Sequence, residues 1–191
     1  GALNEYIPSQ LLLHEARNLQ RPLIVGGQAD LWYKNDSQRR NSARHADPSK
    51  GLGLRYDKIK LAPFGEFLPL QKSLHFFYKT LGVKSRFSPG KTRPIHTLQG
   101  VRFSYLICYE AILSAGARQA VKQGATLLLS PTNDRGFGRS LAPYQHLMLA
   151  SIRSAELGVP LVRGTTSGVS ATVNALGQLE RNSRLLTREV L

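Results

Sequence analysis

The chain has 191 residues, 41% of them hydrophobic and 20% charged, which describes a folded domain and excludes a disordered segment. A single cysteine excludes an internal disulfide and a multi-cysteine metal centre, and no run approaches the 18 apolar residues that cross a bilayer. The 26 Lys and Arg against 12 acids give a formal charge of +14, which favours anionic partners.

The opening, Gly1-Ala2-Leu3-Asn4-Glu5, has neither an initiator Met nor a basic leader, as expected of a fragment or a processed segment. Ser9 is placed to cap a helix to about Gln20, with Leu12, Ala16 and Leu19 on one face, ended by Arg21-Pro22. Leu23 to Gly27 reads as a short buried strand; Leu31 to Lys34 and Asn41 to Ala43 read as strands flanking a polar connector. Asp47-Pro48-Ser49-Lys50-Gly51 signals a turn. Pro63 and Gly65 keep Lys58 to Phe67 irregular, and Lys72 to Leu81 is predicted as a short amphipathic helix ending at Gly82.

The second half is more regular. Val101 to Cys108 is an apolar strand, Glu110 to Gln123 a helix stopped by Gly124, and Ala125 to Ser130 a buried strand. Asn133 to Ser140 is a loop. Pro143 suits the first turn of a helix to Leu157 that packs through Leu147, Ala150, Ser154 and Leu157. Pro160 to Gly164 and Val169 to Ala175 are strands. The alternation implies an α/β fold over a buried sheet, in one domain without repeats or linkers.

The charge is uneven. Between Phe67 and Tyr109 there is no acid, yet Lys72, Lys79, Lys84, Arg86, Lys91, Arg93 and Arg102 occur, interleaved with Leu74, Phe76, Phe77, Tyr78, Leu81 and Phe87. No zinc-finger spacing, GxxG clamp or RNP-like aromatic pair supports nucleic-acid binding. The segment reads either as a solvated face or as one lying on an anionic membrane surface.

Cys108 ends an apolar strand just before a helix. That places a thiol at the carboxyl edge of a sheet, where backbone N–H groups favour a thiolate and an oxyanion. The alternative for a lone cysteine is a small buried hydrophobe. A nucleophile needs a base, and His14, His45, His75, His96 and His146 form no His-x-His or His-x-x-x-His pair. A carboxylate assisted by a lysine is the other solution. Lys58 and Glu66 offer those groups, with Glu66 set among Pro63, Phe64, Phe67 and Leu68, where burial raises a carboxyl toward useful proton transfer.

These residues carry a resemblance. Tyr56-Asp57-Lys58-Ile59-Lys60-Leu61-Ala62-Pro63-Phe64-Gly65-Glu66-Phe67-Leu68-Pro69 resembles the lysine segment of the apolipoprotein N-acyltransferases, in the nitrilase-like, carbon–nitrogen hydrolase superfamily. Ile107-Cys108-Tyr109-Glu110 resembles their nucleophile segment, and Ser130 to Gly138 the loop after the next strand, with Arg135 where an aromatic is usual. Pro143-Tyr144-Gln145-His146, the run Arg153 to Arg163, and Thr165-Thr166-Ser167-Gly168 continue in order, with Thr166 where Asn is usual.

The resemblance implies a four-layered α-β-β-α sandwich, incomplete at the N-terminus, forming one catalytic-domain fragment over 1–191 without its flanking transmembrane helices. Cys108 would be the nucleophile, Lys58 the stabiliser of the tetrahedral intermediate and Glu66 an additional carboxylate. Glu110 and Tyr109 would support the cysteine, and Asn133 and Thr165 would lie near the substrate. The family's base glutamate precedes this region; only Glu5 stands near its place. Neither a metal nor a cofactor is implied. The activity implied is acyltransferase chemistry in lipoprotein biosynthesis: an acyl chain passes from a phospholipid to the cysteine, then to the N-terminal amine of a lipoprotein. The implied location is the periplasmic face of a bacterial inner membrane. The competing readings are a nitrilase-like amidase using the same residues and a non-catalytic relative.

Overall fold

The computed structural model describes residues 9–33, 36–70, 73, 76 and 87–191, with backbone alone for 30–33, 36 and 37. Helix α1 (Ser9–Asn18) buries Leu12 and Ala16 on one face, as their spacing of four dictates. That face meets Ala46, with Leu13, Leu23, Val25 and Leu52 at its border. Leu19 lies off it and is exposed. The Ser9 hydroxyl accepts a hydrogen bond from the Arg44 guanidinium at 2.9 Å, tying the helix start to the sheet below.

That first sheet is built on a long antiparallel hairpin of β1 (Leu23–Tyr33) and β2 (Asp36–Asp47), in register from Leu23 opposite Ala46 to Tyr33 opposite Asp36. The expected strand from Leu23 to Gly27 is therefore only the start of β1. The expected strands at 31–34 and 41–43 fall within the same hairpin, residue 34 lying outside the described residues. Strand β2 lacks apolar alternation because its buried positions, Ser42, Ala43, His45, Ala46 and Asp47, are small or polar, and its other edge is occupied by β3 (Gly51–Leu52) and β4 (Tyr56–Asp57). Between β2 and β3, Asp47 Oδ1 accepts from the Ser49 amide, the Ser49 hydroxyl and the Lys50 amide, the Asx geometry expected of this turn.

The second sheet has six strands: β5 (His96–Leu98), β6 (Val101–Tyr105), β7 (Leu127–Thr132), β8 (Leu161–Thr165), β9 (Ala171–Val173) and β10 (Leu179–Asn182). They lie in the order β10-β9-β8-β7-β6-β5, with β6, β7 and β8 parallel and the rest antiparallel. The parallel pairs are bridged by helices α2 (Ser114–Lys122) and α3 (Ala142–Leu157), which cover the outer face. There Ala117, Ala120, Leu147 and Ala150 pack on Leu106, Leu128, Leu161 and Val173. Each such Leu, fully removed from water, contributes about 1.5–3 kcal/mol. The inner face carries Phe103, Tyr105, Ile107 and Leu129 against Ala43 and Tyr56 of the first sheet. Helix, sheet, sheet and helix thus form the expected four-layered α/β sandwich. The sheets come close at Gly26, where a Cβ would lie 2.8 Å from Pro131 Cβ.

One helix differs from expectation. The predicted helix from Glu110 to Gln123 is divided: Cys108–Ile112 is a 3₁₀ turn, Leu113 is extended (φ −92°, ψ 120°), and α2 follows. The division arises because the Glu110 side chain turns back onto the Ile107 amide and holds the first turn in place. Helix α3 matches, with Pro143 in its first turn and Gly158 closing it in the left-handed region (φ 66°). The helix predicted over 72–81 lies largely outside the described residues. Strand β10, all of it exposed, has no apolar pattern to announce it.

Candidate active site

Beyond β6 the chain runs through buried Leu106 and Ile107 to Cys108, which opens the 3₁₀ turn in the left-handed region (φ 50°), uncommon for a residue with a side chain. The half-buried thiol receives the Tyr109 backbone N–H. Burial pushes the thiol up from its ordinary range. The Lys58 ammonium opposes this, and the Asp134 and Glu66 carboxylates add to it.

Lys58 leaves β4 with its amide on the Asn41 carbonyl (2.8 Å), so the first sheet supplies this side of the site. Its ammonium is buried and stands 2.7 Å from Glu66 Oε2. The contact is an ion pair without an aligned hydrogen bond, and among the described residues Nζ has no hydrogen-bond partner. Glu66 is held by the Asn41 amide group on Oε1 (2.8 Å) and the Ala62 N–H on Oε2 (2.7 Å). Lys58, Glu66 and Cys108, distant in sequence, therefore share one site.

Glu110, 1% exposed, ties the two halves of that site together. Its Oε1 accepts from the Tyr56 hydroxyl (2.7 Å), the Ile59 and Lys60 amides (3.0 and 3.1 Å) and Arg93 (2.9 Å). Its Oε2 accepts from the Ile107 amide (3.0 Å). The loop after Lys58 and the turn before Cys108 are thus pinned to one carboxylate. Arg93 also donates to the Tyr105 carbonyl and lies over the Tyr56 ring, 4.9 Å from its centroid. This corrects the picture of 72–102 as one outward basic face: Arg93 turns inward because a buried carboxylate requires a partner. Arg102 remains outside on the Gln123 carbonyl, and Lys72, Lys79, Lys84 and Arg86 lie outside the described residues.

The far side of Cys108 was not anticipated. After β7, buried Asp134 places Oδ1 2.9 Å from His146 Nδ1 and Oδ2 2.6 Å from an Arg163 nitrogen. His146 Nε2 in turn stands 3.3 Å from the Cys108 carbonyl oxygen. Burial lowers the Arg163 guanidinium, and the Asp134 carboxylate opposes that. Arg163 was the available signal, a charge within the buried strand Leu161-Val162-Arg163. His146 was passed over because its partner is not a second histidine but an acid twelve residues away.

Of the remaining candidates, Asn133 is exposed, its Oδ1 accepting from the Arg135 amide and the Thr166 hydroxyl, both at 3.0 Å. Thr165 ends β8 with its amide on Ser170 Oγ. Glu5 lies outside the described residues. Cys108, Asp134 and His146 bring potential metal-ligand atoms within 4.8 Å of one another, but both Asp134 oxygens are already engaged by His146 and Arg163.

Residues 8–185 match the carbon–nitrogen hydrolase family. The apolipoprotein N-acyltransferase of Geobacter metallireducens is 37% identical over 180 residues, which cover 92% of this chain and 34% of that protein. The apolipoprotein N-acyltransferase of Bdellovibrio bacteriovorus is 36% identical over 187 residues, with 93% and 34% covered. The chain thus spans about a third of the length of these curated relatives. An amidase from Nesterenkonia sp. shares the fold, with a TM-score of 0.69 at 23% identity over 93% of this chain and 62% of that one.

The expected location, on the periplasmic face of an inner membrane, is corrected by these findings. Among the described residues no helix is long and apolar enough to cross a membrane, and the solved structures that share its fold include an amidase. The resemblance reaches only a third of the acyltransferase relatives, so a location set by the rest of those proteins does not carry over. The matched family, the four-layered fold and a cysteine set beside Asp134 and His146 agree with a nitrilase-superfamily hydrolase or transferase: the chain belongs to the carbon–nitrogen hydrolase family.

Proposed function

We propose that Cys108 is a nucleophile that forms a thioester with an acyl group, and that the domain cleaves a carbon–nitrogen bond as an amidase does. The observation that carries this reading is the buried Lys58 ammonium, paired with Glu66 beside the thiol and with no hydrogen-bond partner among the described residues. A buried cation with unused protons suits an oxyanion that exists only during reaction. The Cys108 proton passes to the Lys58–Glu66 pair as the sulfur attacks the carbonyl carbon, and the oxyanion faces Lys58. Collapse expels the amine, which takes its proton from the Lys58–Glu66 pair. Water then attacks the thioester and gives one proton to the pair, which passes it to the departing sulfur, leaving acid and free thiol.

A second reading changes the donor and the acceptor. The identity of 36–37% to apolipoprotein N-acyltransferases, with Pro63-Phe64-Gly65-Glu66 in the lysine segment, favours a phospholipid acyl donor and the N-terminal amine of a lipoprotein. Both readings pass through the same thioester.

Intact-mass spectrometry tests them together. We expect an acyl adduct on Cys108 after exposure to a small amide or to phospholipid, and none in Cys108→Ser. An adduct with ammonia released from the amide supports the first reading. An adduct from phospholipid that clears only on adding a diacylglyceryl-peptide amine supports the second. No adduct with either donor, or one on another residue, overturns both.

A further inference from the structure

Both neighbours of the His146 ring are acceptors. Nδ1 lies 2.9 Å from a carboxylate oxygen of Asp134, and Nε2 lies 3.3 Å from the carbonyl oxygen of Cys108. A carboxylate and a carbonyl have no proton to give, so a neutral ring satisfies one of them and leaves a lone pair against the other. The doubly protonated ring satisfies both.

Three other cations around the site already face carboxylates. Lys58 faces Glu66, Arg93 faces Glu110 and Arg163 faces Asp134. An imidazolium at position 146 shares Asp134 with Arg163, so the site then holds four cations against three carboxylates. A ring nitrogen of His146 lies within 4.8 Å of Cys108 Sγ. From these contacts we propose that His146 is a positioning residue, held as an imidazolium between Asp134 and the Cys108 carbonyl. It keeps Cys108 in its left-handed conformation and balances the charge of the thiolate.

Every element around the ring bears on this pair. Asp134 and the edge-on Phe137 ring, 6.2 Å between centroids, come from the loop after β7. Arg163 reaches from β8 through Asp134, and its guanidinium also interacts with the Cys108 charge. Lys58 and Glu66 act on the thiol from the first sheet. Burial and two carboxylates work against ionising the thiol, so a positive charge on the far side from Lys58 is what the site requires.

The inference rests on Cys108 being the nucleophile, and its test does not depend on turnover. The chain has one cysteine, so iodoacetamide reads Cys108 alone. In His146→Gln the midpoint of the alkylation–pH profile is expected to rise by about one unit, so that alkylation at pH 7 slows about tenfold. The high-pH plateau and the far-ultraviolet circular dichroism stay unchanged. An unshifted midpoint overturns the proposal. Nitrogen-15 NMR of the wild-type ring decides independently of whether the variant folds: two protonated ring nitrogens at pH 7 are expected, and one bare nitrogen overturns it. A shifted profile with no thioester would sink the acyl-transfer reading alone. A thioester with an unshifted profile would sink the role of His146 alone.

Discussion

Glu66 and Glu110 are each set against a buried cation at opposite ends of the loop that follows Lys58, and they differ in what is left over. Glu110 receives five hydrogen bonds, from Tyr56, Ile59, Lys60, Arg93 and Ile107. Glu66 is held by two, from Asn41 and Ala62, and its lysine is paired but not saturated. A carboxylate whose acceptor sites are filled by backbone amides is a fastener, because any motion breaks several bonds at once. An ion pair with protons to spare is a reagent held in readiness. Residue type does not separate the two roles; the inventory of donors does.

The comparison breaks if Glu66 proves to be a fastener too. Glu66→Gln keeps the shape and the Asn41 side of the contact but removes the charge facing Lys58. We expect the rate of Cys108 acylation to fall roughly 10²–10⁴-fold, with some thermal loss from the unpaired Lys58 ammonium; a large thermal loss with little kinetic effect would reverse the assignment. Glu110→Ala should behave in the opposite sense. It strands Arg93 as an unpaired buried charge, at a cost of about 3–5 kcal/mol. The melting temperature of a domain this size then drops by roughly 6–20 °C, which calorimetry reads directly.

A smaller effect sharpens the contrast by way of the layer beneath Glu110. Tyr56 stacks on Tyr105, and Tyr105, His96, Phe103 and His45 form a ring nest between the sheets. Burial, with the neighbouring His45 charge, pushes His96 down to about 4. The unfolded chain takes up that proton near pH 6.5 and the folded one only near 4. Stability present above pH 6.5 is therefore lost as the pH falls toward 4, by roughly 3 kcal/mol at most. Urea midpoints measured between pH 7 and 4 should show this slope, and His96→Gln should flatten it while Glu110→Ala leaves it in place.

The parts of the site legible in the sequence are those with local causes. An apolar strand ending at Cys108 announced the thiol, and a proline with a helical period announced α3. Glu66 stood out as an acid among apolar neighbours. The rest depends on partners that chain order does not reveal. Arg93 reads as one more charge in a basic stretch until Glu110, 17 residues on, turns it inward. His146 has meaning only with Asp134 and the Cys108 carbonyl, 38 residues away, in place. Strand β2 hides because its buried positions hold alanines and polar side chains, so the alternation that marks a strand is missing.

The close approach at Gly26 bears on more than packing. Lys58 and Asn41 ride on one sheet, and Cys108 and Asp134 follow strands of the other, so the reacting groups straddle a seam. The width of that seam is set where Gly26 lies opposite Pro131, at a point with room for a hydrogen and nothing larger. The bare backbone at that point works as a calibrated shim. A methyl group there would drive the two halves of the site apart like a jaw opened by grit, and a gap of an ångström between reacting atoms costs about a hundredfold in rate. The tolerance of the chemistry is thus written into a position that touches none of it.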